Sequence, residues 1–130
     1  MVGKLWVVCG AVLAALAVVA GAMGTHLLKE RLHVSEAELA TFEVAVRYQM
    51  YHSFALILVG LLAGRADGCA LRAAGGLFLV GLVLFSGGLY GWLLTGIKPL
   101  VHVVPIGGTI WIVAWLALAW AALRSTPQKA

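Results

Sequence analysis

Four long stretches without a single formal charge, residues 5–28, 48–64, 73–97 and 99–123, take up most of this 130-residue chain. A bilayer core of about 30 Å is crossed by roughly 20 apolar residues in α-helical form, because each residue rises about 1.5 Å and every backbone amide must be satisfied within the segment. Within these stretches the spacing predicts four membrane spans, at about 5–23, 48–64, 73–97 and 101–123. The composition agrees, with 63% hydrophobic and only 11% charged residues, where soluble domains carry about a quarter charged residues. No room is left for a separate soluble catalytic domain, so the expected architecture is one all-α, four-transmembrane-helix bundle occupying residues 1–130.

The formal charge of +4 would suggest nucleic acid in a soluble protein. Here the basic residues punctuate the spans and act as interfacial anchors, which excludes nucleic acid as a partner and makes the lipid bilayer the expected one. Cys9 and Cys69 are too few and too far apart for a disulfide framework or a zinc site, and both read as small apolar fillers. The N-terminus mimics a signal peptide, with Lys4, an apolar stretch and Ala20-Gly21-Ala22. That stretch exceeds a signal core of about 7–15 residues, and a retained first helix is the simpler reading.

The only substantial polar segment, 25–47, separates the first two spans. Ser35 and Glu38 form a capping-box pattern, after which Leu39, Phe42, Val46 and Met50 recur at helical spacing, with Glu43 and Arg47 one turn apart on another face. The pattern is an amphipathic helix that either runs unbroken into the second span or bends at the membrane surface. Further along, residues 65–68 make a turn and Lys98-Pro99 ends the third span. Pro105, Gly107 and Gly108 predict a helix break in the fourth run, as a kink or a stretch of irregular backbone. With four spans both termini share a side. Five basic residues on that side against four on the other give a small bias toward cytoplasmic termini in a bacterial inner membrane.

Small residues repeat on two of the spans. Gly10, Ala14, Ala17 and Gly21 share a face of the first helix; Gly81 and Gly88 line the third, where Gly87 and Gly91 add a G-x-x-x-G pair. Helices in lipid gain little from hydrophobic contact with each other, so such stripes are the expected packing seams. Trp6 and Trp120 mark the terminal-side interface, Tyr48, Tyr51 and Trp92 the opposite one, and Trp111 and Trp115 pack in between.

Chemistry is sparse. His26, His52 and His102 fall toward the membrane face opposite the termini, where Tyr48 and Tyr90 join them. Imidazoles so placed could ligate a metal or haem, relay protons or bond a quinone. No nucleophile, paired-carboxylate or nucleotide-binding pattern accompanies them, so neither an enzyme, a metal nor a cofactor is expected.

Four strings, G-A-M-G-T-H-L-L-K (21–29), Y-Q-M-Y-H (48–52), L-F-S-G-G-L-Y (84–90) and P-I-G-G (105–108), are followed by Trp115. In these the chain resembles the small four-helix membrane family catalogued as domain of unknown function 423, itself similar to the transmembrane protein 256 group. The resemblance implies a polytopic inner-membrane protein with relatives in mitochondria and no established activity. Two functions then compete: an accessory or structural subunit packing with a larger membrane complex or with itself, and a small carrier or channel for protons or a small solute using the His/Tyr cluster. A haem- or quinone-binding redox protein is a third. Carriers place a polar site at the midplane, where the sequence offers chiefly Ser86.

Overall fold

The computed structural model describes residues 2–30, 34–63, 65 and 68–124. They form helices α1 (Val2–Glu30), α2 (Glu36–Leu62), α3 (Gly68–Leu82), α4 (Gly88–Thr95) and α5 (Pro99–Leu123), with a π-helical segment, Val83–Gly87, joining α3 to α4. Four helical stretches are long and apolar enough to cross a membrane: Val2–Leu28, Glu36–Leu62, Gly68–Thr95 and Pro99–Leu123. This is the all-α, four-span architecture that the apolar runs predict.

The amphipathic segment is the first half of α2, continuous with the second span. Its start is fixed by the predicted capping box: Ser35 N donates to Glu38 Oε2 at 2.8 Å, and the Glu38 amide donates to Ser35 Oγ at 3.3 Å. With no proline or glycine until Gly60, nothing interrupts the helix, and the residues near Gln49 become its centre rather than the edge of a span. Most of the turn expected at 65–68, together with His33, lies outside the described residues.

The α4–α5 connection is short because its residues suit it. Gly96 adopts φ 71°, a left-handed conformation that costs glycine little, and its amide donates to the Trp92 carbonyl at 2.7 Å. Pro99 then starts α5, where a missing amide donor is harmless.

The helices pack as two antiparallel pairs, α1 with α2 and α3–α4 with α5, and the second half of the bundle leans on α2. Small residues set the first seam. A methyl group built on Gly10 would stand 2.6 Å from the Ser53 carbonyl oxygen, and one on Gly3 would stand 2.7 Å from Ala63 Cβ, while Gly24 abuts the Phe42 ring. Ala17 is fully buried in this seam and Ala14 half-buried. Gly21 is looser, with Val46 at ordinary contact distance and an exposed surface. On the other pair, Gly81 lies against the Trp111 ring, Gly88 against Leu100, Val103 and Val104, and Gly91 against Leu100.

Two expectations need correction. Gly87 is exposed and meets nothing closer than the Leu82 carbonyl of its own helix, so Gly87 and Gly91 do not act as one packing motif; the π segment rotates the backbone between Gly81 and Gly88, and the seam follows 81, 88 and 91. Of the two forms of break expected at Pro105, Gly107 and Gly108, the irregular backbone does not occur, since α5 is helical from Pro99 to Leu123 with Pro105 inside it. Proline removes one backbone bond, and Gly107 lets α5 lie close to the Gly81 carbonyl and Phe85 amide of the neighbouring span. The irregular backbone is in the third span instead.

Candidate functional site

The core of the bundle is apolar on the terminal side, where Leu56, Val59, Ala74 and Phe78 are fully buried. Higher up it becomes polar. Gln49, His52, Ser53 and Ser86 are all buried, Gln49 with only 6% of its surface exposed.

Gln49 is the hub. Its Nε2 donates to the Leu13 carbonyl of α1 at 2.8 Å, its Oε1 accepts from the Tyr90 hydroxyl of α4 at 2.9 Å, and its own carbonyl accepts from Ser53 Oγ at 2.7 Å. One side chain thereby ties three spans together. A second tie runs from Ser86 Oγ to the Ala45 carbonyl at 2.9 Å, from within the π segment to α2. Wide π turns recur at functional sites; here the turn carries Ser86, the hydroxyl that crosses to α2.

Beside the hub lies an aromatic stack. The His52 ring is nearly coplanar with the indole of Trp111, at 3.5 Å between centroids and 2° between planes. Tyr48 and Phe85 close on the same indole at 5.8 and 4.7 Å, and Trp111 Nε1 donates to the Phe78 carbonyl at 3.1 Å. His52 Nδ1 stands 2.8 Å from the Tyr48 carbonyl, an oxygen that can only accept, so Nδ1 carries the proton. Nε2 then accepts from Trp115 Nε1 at 3.4 Å. Both ring nitrogens of this neutral imidazole are engaged inside the protein.

The predicted His/Tyr cluster is therefore only partly assembled. Tyr48, His52 and Tyr90 meet around Gln49 and Trp111. His26 does not join them: it is exposed on α1, with Nδ1 3.6 Å from Glu30 Oε1. His102 is exposed on α5. Helical phase separates them, because an address near one membrane face does not fix which way a side chain turns. Gln49, the residue that sequence reasoning missed, was signalled by its spacing: it follows Ala45 and precedes Ser53 and Leu56 at steps of three and four on one face of α2.

Depth also differs from expectation. Across the first seam Gly21 faces Val46 and Gly10 faces Ser53, so Gln49 stands level with the middle of the 5–28 run. Trp111 is the midpoint of α5. The polar core thus sits near the centre of the spans rather than toward one face.

Among proteins of known sequence, a family described as "Protein of unknown function (DUF423)" matches residues 20–108. The UPF0382 membrane protein SAB0533 of Staphylococcus aureus (strain bovine RF122 / ET3-1) is 39% identical over 121 residues, covering 93% of this chain and 97% of the relative. The UPF0382 membrane protein SH2409 of Staphylococcus haemolyticus (strain JCSC1435) is 40% identical over 115 residues, 88% of this chain and 92% of its own length. YwdK of Bacillus subtilis (strain 168), also a UPF0382 membrane protein, is 36% identical over 122 residues, 93% and 98% of the two chains. No solved structure matches. The matched segment takes in the capping box, the Gln49 hub, the π segment and Pro105, and with it the chain belongs to the DUF423 family of membrane proteins.

Proposed function

We propose that this protein is an accessory or structural subunit of the bacterial inner membrane, with both termini cytoplasmic and no enzymatic activity, packing with a larger membrane complex. The observation that carries the reading is the closed hydrogen bonding of the polar core. The Gln49 amide, the Ser53, Ser86 and Tyr90 hydroxyls and both His52 nitrogens all have partners within the bundle. A carrier must exchange such groups with its solute at mid-depth, and a haem or metal needs a free imidazole lone pair. Polar groups that tie helices to each other rigidify the bundle and leave recognition to its outer surface.

The test is purification of the tagged chain from its own membranes in a mild detergent, with mass spectrometry of what accompanies it and an absorption spectrum. The reading predicts a membrane protein recovered in near-stoichiometric amount and no Soret band. A chain recovered without a partner but with a stoichiometric chromophore or metal would overturn it.

A further inference from the structure

We infer that the terminal-side end of the bundle holds the headgroup of an anionic phospholipid, in a cleft between α1 and α3 where Arg72 meets the phosphate. This goes beyond the proposed accessory role and does not depend on it.

The charge of the chain is divided unevenly between the two membrane faces. On the side of the termini the sequence sets five bases, Lys4, Arg65, Arg72, Arg124 and Lys129, against a single acid, Asp67. On the other side Lys29, Arg31, Arg47 and Lys98 are balanced by Glu30, Glu36, Glu38 and Glu43. The whole formal charge of +4 therefore stands at one face. Basic pockets between membrane helices are where acidic lipid headgroups dock.

The cleft arises from how the helices pack. α1 and α3 both lie on α2 and scarcely on each other, so a gap is left between their terminal-side ends. The Trp6 ring bridges it at Gly75, where an added methyl would stand 2.9 Å from the indole. Beside the ring a space of about 150 Å³ remains, lined by Val2, Trp6, Ala63, Gly68, Leu71 and Arg72. Its depth suits a headgroup. Arg72 immediately precedes the uncharged run 73–97, as Lys4 precedes the run 5–28, so both stand at the edge of the hydrocarbon.

Arg72 is the one charged side chain of the lining. It is exposed and has no hydrogen-bond or ion-pair partner among the described residues. A guanidinium presents paired donors whose geometry matches two oxygens of a phosphate. The other walls are apolar side chains and glycine, from which a soluble phosphate gains nothing and the glycerol and first acyl carbons of a lipid gain contact. Sites that enclose a whole small molecule occupy roughly 300–1,000 Å³; this smaller cleft suffices for a headgroup phosphate whose chains stay in the bilayer. A zwitterionic headgroup would bring a further cation to a face already crowded with bases, and that selects the anionic class.

The experiment uses the full chain in detergent micelles with phosphatidylglycerol or phosphatidylcholine added, counting retained lipids by native mass spectrometry. One phosphatidylglycerol per chain is expected to stay bound under conditions that strip phosphatidylcholine. Arg72→Gln should weaken that binding about tenfold, as the loss of a charge-assisted pair does. Arg124→Gln removes the same charge on the same side, from a side chain that lies over Trp120 at 5.5 Å and outside the cleft, and should leave binding within about twofold. Thermal unfolding without added lipid checks that both variants keep the fold. Equal retention of the two lipids, or equal losses from Arg72→Gln and Arg124→Gln, would overturn the inference. So would displacement of the lipid by inorganic phosphate, which would make the cleft a site for a free anion. Binding seen only in an Asp67→Asn variant would overturn it as well, because the chain's own carboxylate would then be the occupant.

Discussion

Gln49 links α2 to two other spans because its amide is used at both ends. Replacing it by Leu leaves the Tyr90 hydroxyl and the Leu13 carbonyl without that partner. Interhelical hydrogen bonds in membranes average about 0.6 kcal/mol, with the largest near 1.7 kcal/mol. Gln49→Leu is accordingly expected to cost about 1–2 kcal/mol in reversible unfolding in mixed micelles. A cycle with Tyr90→Phe should show a coupling of about 0.6 kcal/mol; strictly additive effects would mean that the Tyr90–Gln49 bond contributes nothing. Trp6 presents the opposite case. Its Nε1 is buried with no hydrogen-bond partner among the described residues, and its ring fills the space over Gly75. Trp6→Phe keeps most of the ring and removes the orphan donor, so stability should be unchanged or slightly raised, whereas a clear loss would reveal a partner for that indole. His52 and Tyr48 are recognisable in the sequence as polar residues on one helical face. Gln49 is harder to see because, in a span taken to begin at Tyr48, an amide one residue inside it reads as interfacial. Its depth emerges only when α2 is known to start at Glu36.

At the scale of helices, glycine acts by position rather than by number. Gly81 lies so close to Trp111 that an added methyl would stand 2.5 Å from the ring, while Gly87 has open space around it. Gly81→Ala should therefore cost about 1–3 kcal/mol as the indole is pushed off its stack with His52. Gly87→Ala should be neutral or stabilising by up to about 1 kcal/mol, because alanine loses less backbone entropy in a helix. Thermal unfolding of the two variants side by side decides this, and equal losses would place Gly87 in the seam after all. The small-residue stripe on α1 is legible in the sequence because its period matches a regular helix. The third span is not legible in the same way. A π turn shifts the phase of everything after it by one residue, and nothing in V-L-F-S-G announces it; the turn is stabilised by contacts with α2 and α5 that a local pattern does not contain. Pro105 does not end the helix, and the close approach of Gly107 to the third span is likewise a contact that a local pattern does not contain.

For the whole molecule, four spans place both termini on one side. Reporter fusions after Leu32, Gly68, Lys98 and Gln128 should alternate, with those at 68 and 128 cytoplasmic; a shared side for 32 and 68 would contradict four spans. Fold class is the most legible property of this chain, because length and the absence of charge decide which segments can cross a bilayer. Function is the least legible, because it depends on whether polar groups at mid-depth are open to a solute or bonded to one another, and that rests on helix phase and side-chain reach. In this bundle they are bonded to one another and to the backbone. Purified protein in liposomes loaded with a pH-sensitive dye gives the direct measurement: proton entry under an imposed pH gradient and membrane potential should match that of protein-free liposomes, and should stay so in the Gln49→Leu variant. Proton flux well above the protein-free rate, lost on Gln49→Leu or His52→Ala substitution, would contradict it and make the polar core a pathway.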